Sequence, residues 1–200
     1  MPKIVDHDER REEIARALWR VVRRDGIGAA SVRSIAAEAG WSAGAVRYYF
    51  PDQAGLLGFA VELVTRRVGE RITRLEPSGS PVERVQSYLE EVIPLDDERR
   101  AEFEVWLAFL AQSQAETEAG GTLRPHVEPL HAQLLQLCRS LVDFLQESQT
   151  LPPGLDPALE ASRLHALVDG LSIHTATNTE QMPPDRVREI LRTHLATLAK

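Results

Sequence analysis

The chain has 200 residues, of which 43% are hydrophobic and 26% charged, and its formal net charge is −7. These values exclude a disordered chain, and no apolar run approaches the roughly 20 residues that a membrane helix needs; Val105 to Ala111 is the longest. The charge is unevenly placed: residues 1–57 hold nine Lys/Arg and eight Asp/Glu, the rest fourteen and twenty-two, so the N-terminal part is locally neutral with arginine clusters.

The start, MPKIVDHDERREE, is charged where a signal peptide would be apolar. The single cysteine, Cys138, excludes an internal disulfide, and both features fit a cytoplasmic protein. Helix one is predicted from Asp8 to Arg24, with Ile14, Ala17, Leu18, Val21 and Val22 on one face and Gly26 as its stop. Its arginines (10, 11, 16, 20, 23 and 24) read either as a solvated face with acidic neighbours or as phosphate contacts.

The stretch Ser31 to Phe50, SVRSIAAEAGWSAGAVRYYF, reads as two short helices joined by a tight turn. Val32, Ile35 and Ala36 form an apolar stripe behind the N-cap candidate Ser31. Gly40 suits the left-handed residue that closes a helix, and Ser42 caps the next. That second helix, 43 to 49, is too short and too poor in large apolar residues to be a core helix. Small Ala43 and Gly44 alternate with Ser42, Arg47, Tyr48 and Tyr49, which suits a helix that must lie close to DNA, so the pattern predicts a helix-turn-helix.

Pro51 and Asp52 mark a break, and the next helix is predicted over 53–75, with Leu56, Leu57, Ala60, Leu63, Val64 and Val68 at helical spacing. After the loop Pro77-Ser78-Gly79-Ser80-Pro81, further helices are predicted over Val82–Ile93, Glu98–Glu116, His126–Gln149, Pro157–Thr179 and Asp185–Ala199. Gly120-Gly121 and Pro125 form one connector, Leu151-Pro152-Pro153-Gly154 another. The fold class is all-α, with about nine helices.

Among these helices Phe103, Trp106, Phe109, Leu110, Cys138, Leu141, Phe144 and His174 are candidates for lining a ligand pocket, although aromatics at helical spacing are usually core. Asp169-Gly170 invites a close helix crossing. His126 and His131 lack metal-ligand spacing, and no clustered Cys or His pattern supports a zinc site, so neither metal nor cofactor is expected. No nucleophile motif or paired carboxylates favour an all-α enzyme. A helical adaptor binding protein through residues 82–150 is the other alternative.

The chain resembles the TetR family of transcriptional regulators. The resemblance rests on Ile14, Ala17 and Leu18, Gly26, Ser31 to Ala36, Ala39 to Gly44, Tyr48-Tyr49-Phe50 and Leu56-Leu57. Less specifically, Pro94-Leu95-Asp96, Trp106 to Phe109 and Val168 to Leu171 resemble the group that includes the choline-responsive BetI regulators. The resemblance implies a DNA-binding domain over residues 1–52 and a ligand-binding and dimerisation domain over 53–200. It implies a homodimer whose last two long helices form a four-helix contact, for which Leu164, His165, Val168, Leu171, Val187, Leu191 and Leu195 are candidates. Expected DNA contacts are Ser31, Ser42, Ala43, Gly44, Arg47, Tyr48, Tyr49 and Gln53, with simple capping the competing role of the two serines. Where this chain has Arg47 and Gln53 the family pattern usually has Tyr and a phosphate-binding Lys; Arg47 can reach a phosphate or a guanine edge. The function implied is a repressor released from a palindromic DNA operator by a small-molecule effector.

Overall fold

The computed structural model describes residues 7–115 and 123–199. It is all-α: α1 His7–Asp25, a 3₁₀ turn Ile27–Ala29, α2 Val32–Ala39, α3 Ala43–Tyr49, α4 Gln53–Arg74, α5 Pro81–Val92, α6 Asp97–Ala115, α7 Arg124–Glu147, α8 Pro157–Thr177 and α9 Pro184–Leu198. The connector at Gly120-Gly121 and the helix end at Glu116 lie outside the described residues. No described helix is long and apolar enough to cross a membrane.

Local chemistry explains most helix ends. Ser31 and Ser80 form capping boxes with Ser34 and Glu83. Asp156 accepts from the backbone N–H groups of Ala158 and Leu159 at 3.0 and 3.4 Å. α7 begins at Arg124 rather than His126, because Pro125 fits the first turn, where no backbone N–H is required.

The described residues fall into two compact units. One comprises those of Met1–Arg67 and Glu104–Glu128, the other those of Val68–Phe103 and Pro129–Lys200, so α4, α6 and α7 each contribute to both. In the first unit Ile14, Leu18 and Val21 of α1 pack in one core with Ile35, Val46, Phe50, Leu56 and Phe109. The buried Trp19 indole donates to the Ala60 carbonyl at 3.0 Å, tying α1 to α4. Gly58 leaves room for the His126 imidazole, since a Cβ there would lie 2.5 Å from the ring, and His126 Nδ1 sits 3.2 Å from Glu62 Oε1.

The second unit has its own core, built from Val85 and Leu89 of α5, Cys138, Val142 and Leu145 of α7, Leu164 and Val168 of α8, and Val187, Leu191 and Leu195 of α9. Beside it lies an ion-pair network. Arg71 grips the buried Glu102 carboxylate with two bonds of 3.2 and 2.8 Å, and Glu91 lies 3.4 and 3.3 Å from Arg71 and Arg99. Removing Arg71 takes a doubly bonded guanidinium away from a buried carboxylate, which is costlier than replacing both groups by apolar ones. Urea unfolding of Arg71→Met is expected to show a loss of stability, and Arg71→Met with Glu102→Met to lose less than the single variant. A double variant as unstable as the single would exclude charge pairing as the cause.

Candidate nucleic-acid interface

α2 ends in a left-handed Gly40, φ 72°, with Trp41 N–H bonded to Ala36 O at 2.8 Å and Gly40 N–H to Ala37 O at 3.2 Å. This closure turns the chain sharply, and Ser42 restarts it by accepting from Ala45 N–H at 3.1 Å. Ile35 and Val46 are fully buried, so one side of each short helix is fastened to the first core. The other side is open: Ser31, Arg33, Ser42, Gly44, Arg47 and Tyr48 are exposed, Tyr48 by 75%.

The expected contact residues separate by role. Ser31 and Ser42 are both helix caps and both exposed, which leaves a hydroxyl and the first backbone N–H groups facing solvent. Ala43 is half-buried against the core. Gly44 has open space where a side chain would begin; its nearest neighbour there is Ser42 Oγ at 3.9 Å. Tyr49 is held in an aromatic cluster, with ring centroids 4.8 Å from His7, 5.6 Å from Trp41 and 5.1 Å from Tyr48. Trp41 is fixed in turn, with Arg10 5.4 Å over its ring and its indole donating to Glu13 at 3.3 Å. Gln53 donates its side-chain amide to Ala30 O at 2.6 Å, so it ties the start of α4 to the entry of α2.

Electrostatics select among the arginines. Arg20 and Arg24 both bind Glu38, at 2.6 and 2.8 Å, and these guanidiniums hold its carboxyl below the usual range. Arg10 pairs with Glu13 at 2.7 Å, Arg23 with Glu104 at 2.6 Å, and Arg16 and Arg66 with Glu12. Arg11 lies over Phe50 and Phe59, 4.9 and 4.3 Å from their centroids. Among the described residues of α1 to α3, Arg33 and Arg47 are the exposed guanidiniums with no acidic partner. Arg33 was not among the residues singled out from sequence. It has no acid three or four places away, but neither have Arg20 and Arg23, which find Glu38 and Glu104 only through folding.

The pocket candidates are divided between the two units. Phe109 and Leu110 belong to the first core and Trp106 is half-buried in that unit, whereas Phe103, Cys138, Leu141, Phe144 and His174 belong to the second. Arg84 lies 4.7 Å over the Phe144 ring, and His174 is exposed. Burial, reinforced by the Asp169 carboxylate, pushes the Cys138 thiol up to about 12, so it stays protonated and unreactive at neutral pH. The residues expected at a subunit contact are occupied within the chain: Leu164, His165, Val168, Leu171, Val187, Leu191 and Leu195 are all buried in the second unit. The outward side of α8 instead carries Leu159, Ala166, Ile173 and Gly170, with Leu159 56% and Ile173 43% exposed.

Comparison with known proteins agrees with this geometry. Residues 14–58 match the family described as "Bacterial regulatory proteins, tetR family". Residues 81–200 match "BetI-type transcriptional repressor, C-terminal". The chain is 37% identical over 199 residues to the HTH-type transcriptional regulator PksA of Bacillus subtilis (strain 168), covering 99% of this chain and 94% of that protein. It is 27% identical over 192 residues to BetI of Stenotrophomonas maltophilia (strain R551-3), covering 95% and 93%. A crystal structure of a TetR-family regulator from Rhodococcus sp. superposes with a TM-score of 0.78 at 24% identity, covering 96% of this chain and all of that one.

The open space at Gly44 separates folding from recognition. Gly44→Leu is expected to keep or raise thermal stability, because glycine is the weaker helix former by about 0.5–1 kcal/mol, while abolishing close approach to a DNA groove. Melting and gel-shift measurements on one preparation check this; DNA binding at the original affinity would remove α3 from the interface.

Proposed function

Because the chain belongs to the tetR family of bacterial regulatory proteins, we propose that this transcription regulator is a homodimeric, effector-controlled repressor acting in the cytoplasm. The observation that carries the DNA-reading part is the exposed side of α2 and α3, where Arg33 and Arg47 stand unpaired beside capped helix N-termini. Residues 1–52 form the DNA-reading head, and residues 53–200 serve effector binding and dimerisation. Ser31 and Ser42 offer hydroxyl and N–H donors to phosphates, and Gly44 lets the backbone approach. Tyr48 adds a phenol hydroxyl, while the clustered Tyr49 stiffens the surface. Arg47 reads a guanine edge or a phosphate, and Arg33 a phosphate.

Two such heads read a palindrome whose half-sites lie about one DNA turn, roughly 34 Å, apart. The outward side of α8 supports dimerisation through that face, because Leu159 and Ile173 are exposed on it and a Cβ at Gly170 would meet nothing within 4 Å beyond its own stretch of helix. A small-molecule effector releases the operator by binding one arrangement of the heads better than the other. Full reversal from 99:1 to 1:99 needs about a 10⁴-fold preference. The role is one of binding, with no catalytic step.

Fluorescence anisotropy against the chain's own promoter and random duplex, from 50 to 200 mM salt, tests the DNA-reading part. Arg33→Ala is expected to weaken binding to both duplexes and to lower the salt slope by about 1.8 per dimer, one phosphate per head. Arg47→Ala, if the residue reads a base, is expected to cost roughly 1–3 kcal/mol on the promoter alone. Wild-type protein with no salt-dependent preference for the promoter would refute the reading.

Dimerisation is tested separately. Gly170→Arg is expected to halve the mass measured by light scattering while helix content, by circular dichroism, is retained. A variant that remains dimeric would move the contact away from this face.

A further inference from the structure

Within the second unit, α7 and α8 bring together three side chains with metal-ligand chemistry. His131 comes from α7, and His165 and Asp169 stand one turn apart on α8; one ligand atom from each lies within 4.8 Å of the other two. His165 Nε2 is 3.5 Å from Asp169 Oδ2, and the two imidazole centroids are 4.5 Å apart. His165 is 7% exposed, and its Nε2 has no hydrogen-bond partner among the described residues. A buried polar nitrogen left in this state is costly, so its orientation toward a carboxylate needs an explanation.

Ligand geometry supplies one. Around tetrahedral zinc, bonds of about 2.0–2.1 Å place neighbouring donor atoms roughly 3.3 Å apart. The His165–Asp169 pair stands close to that spacing without forming a hydrogen bond. His131 is exposed, so a change of its side-chain torsions can bring the third donor in and leaves the site open to water. We propose that His131, His165 and Asp169 form a binding site for a divalent transition-metal ion, with solvent completing the coordination. Two imidazoles and one carboxylate favour zinc, cobalt or nickel over magnesium or calcium, which prefer all-oxygen sites. The four-residue spacing of His165 and Asp169 is legible locally, but only folding brings His131 of α7 to them.

The proposal is independent of DNA reading and is tested on the full chain, free of any histidine tag and stripped with EDTA. Titration calorimetry with zinc chloride is expected to give one ion per chain, and magnesium chloride no competing uptake. His131→Ala and Asp169→Asn are each expected to weaken zinc binding at least tenfold, whereas His126→Ala, in the first unit, leaves it unchanged. Cobalt(II) provides a second readout, a visible absorption band present in the wild type and absent from His131→Ala. Because His131 is exposed, its substitution keeps the fold and remains decisive if a variant on α8 does not. Zinc uptake that is absent, or that persists undiminished in His131→Ala, would overturn the proposal and leave the cluster as helix packing alone.

Discussion

A helix of seven residues has almost no stability of its own in water. The surface that α3 presents therefore depends on burying Val46 and Phe50, at 0% and 2% exposure, in the core that α1 and α4 build beneath it. The flanking groups add precision: Ser42 caps the start, the Gly40 closure sets the turn from α2, and the Gln53 amide holds α4 to the carbonyl before α2. Tyr49, clasped by His7 and Trp41, closes the far end. With the inner side so constrained, the outer side is free to be small and polar, which a self-supporting helix could not be.

Charge on the first unit is arranged by the same packing. Most arginines of α1 are neutralised by acids from their own helix or from neighbours: Glu12 and Glu13 locally, Glu38 from α2, Glu104 from α6. Exposed pairs of this kind add little stability, typically under about 1 kcal/mol. Their effect is to remove competing positive surface, so that Arg33 and Arg47 stand out against a neutral background. A chain of net charge −7 can thereby present a cationic surface suited to DNA.

The second unit turns most of its large apolar residues inward, and α8 presents three different faces. One stripe, Leu164, Val168 and Leu171, is core. The opposite one leaves Leu159 and Ile173 exposed, and the His165–Asp169 edge meets His131 of α7. Such division is possible because α8 is 21 residues long and apolar or small on nearly every side.

The sequence by itself determined the all-α class, the order of the helices and the helix-turn-helix, because caps, glycine turns and apolar spacing act over a few residues and are visible locally. Ser31, Gly40 and Ser42 play the local parts their positions announce. The tertiary structure alone decided which arginines remain available, since Arg20 and Arg33 look alike until Glu38 folds against the first and nothing against the second. It also decided which stripe of α8 is inside. A helix apolar on several sides carries no local mark of the face its own chain will cover, and only the fold shows Leu164 and Leu171 buried in the chain's own core. Finally it decided that His131 would meet His165 and Asp169. For the α3 surface, local chemistry located the helix, and the long-range ion pairs settled which arginines of the first unit remain unpaired.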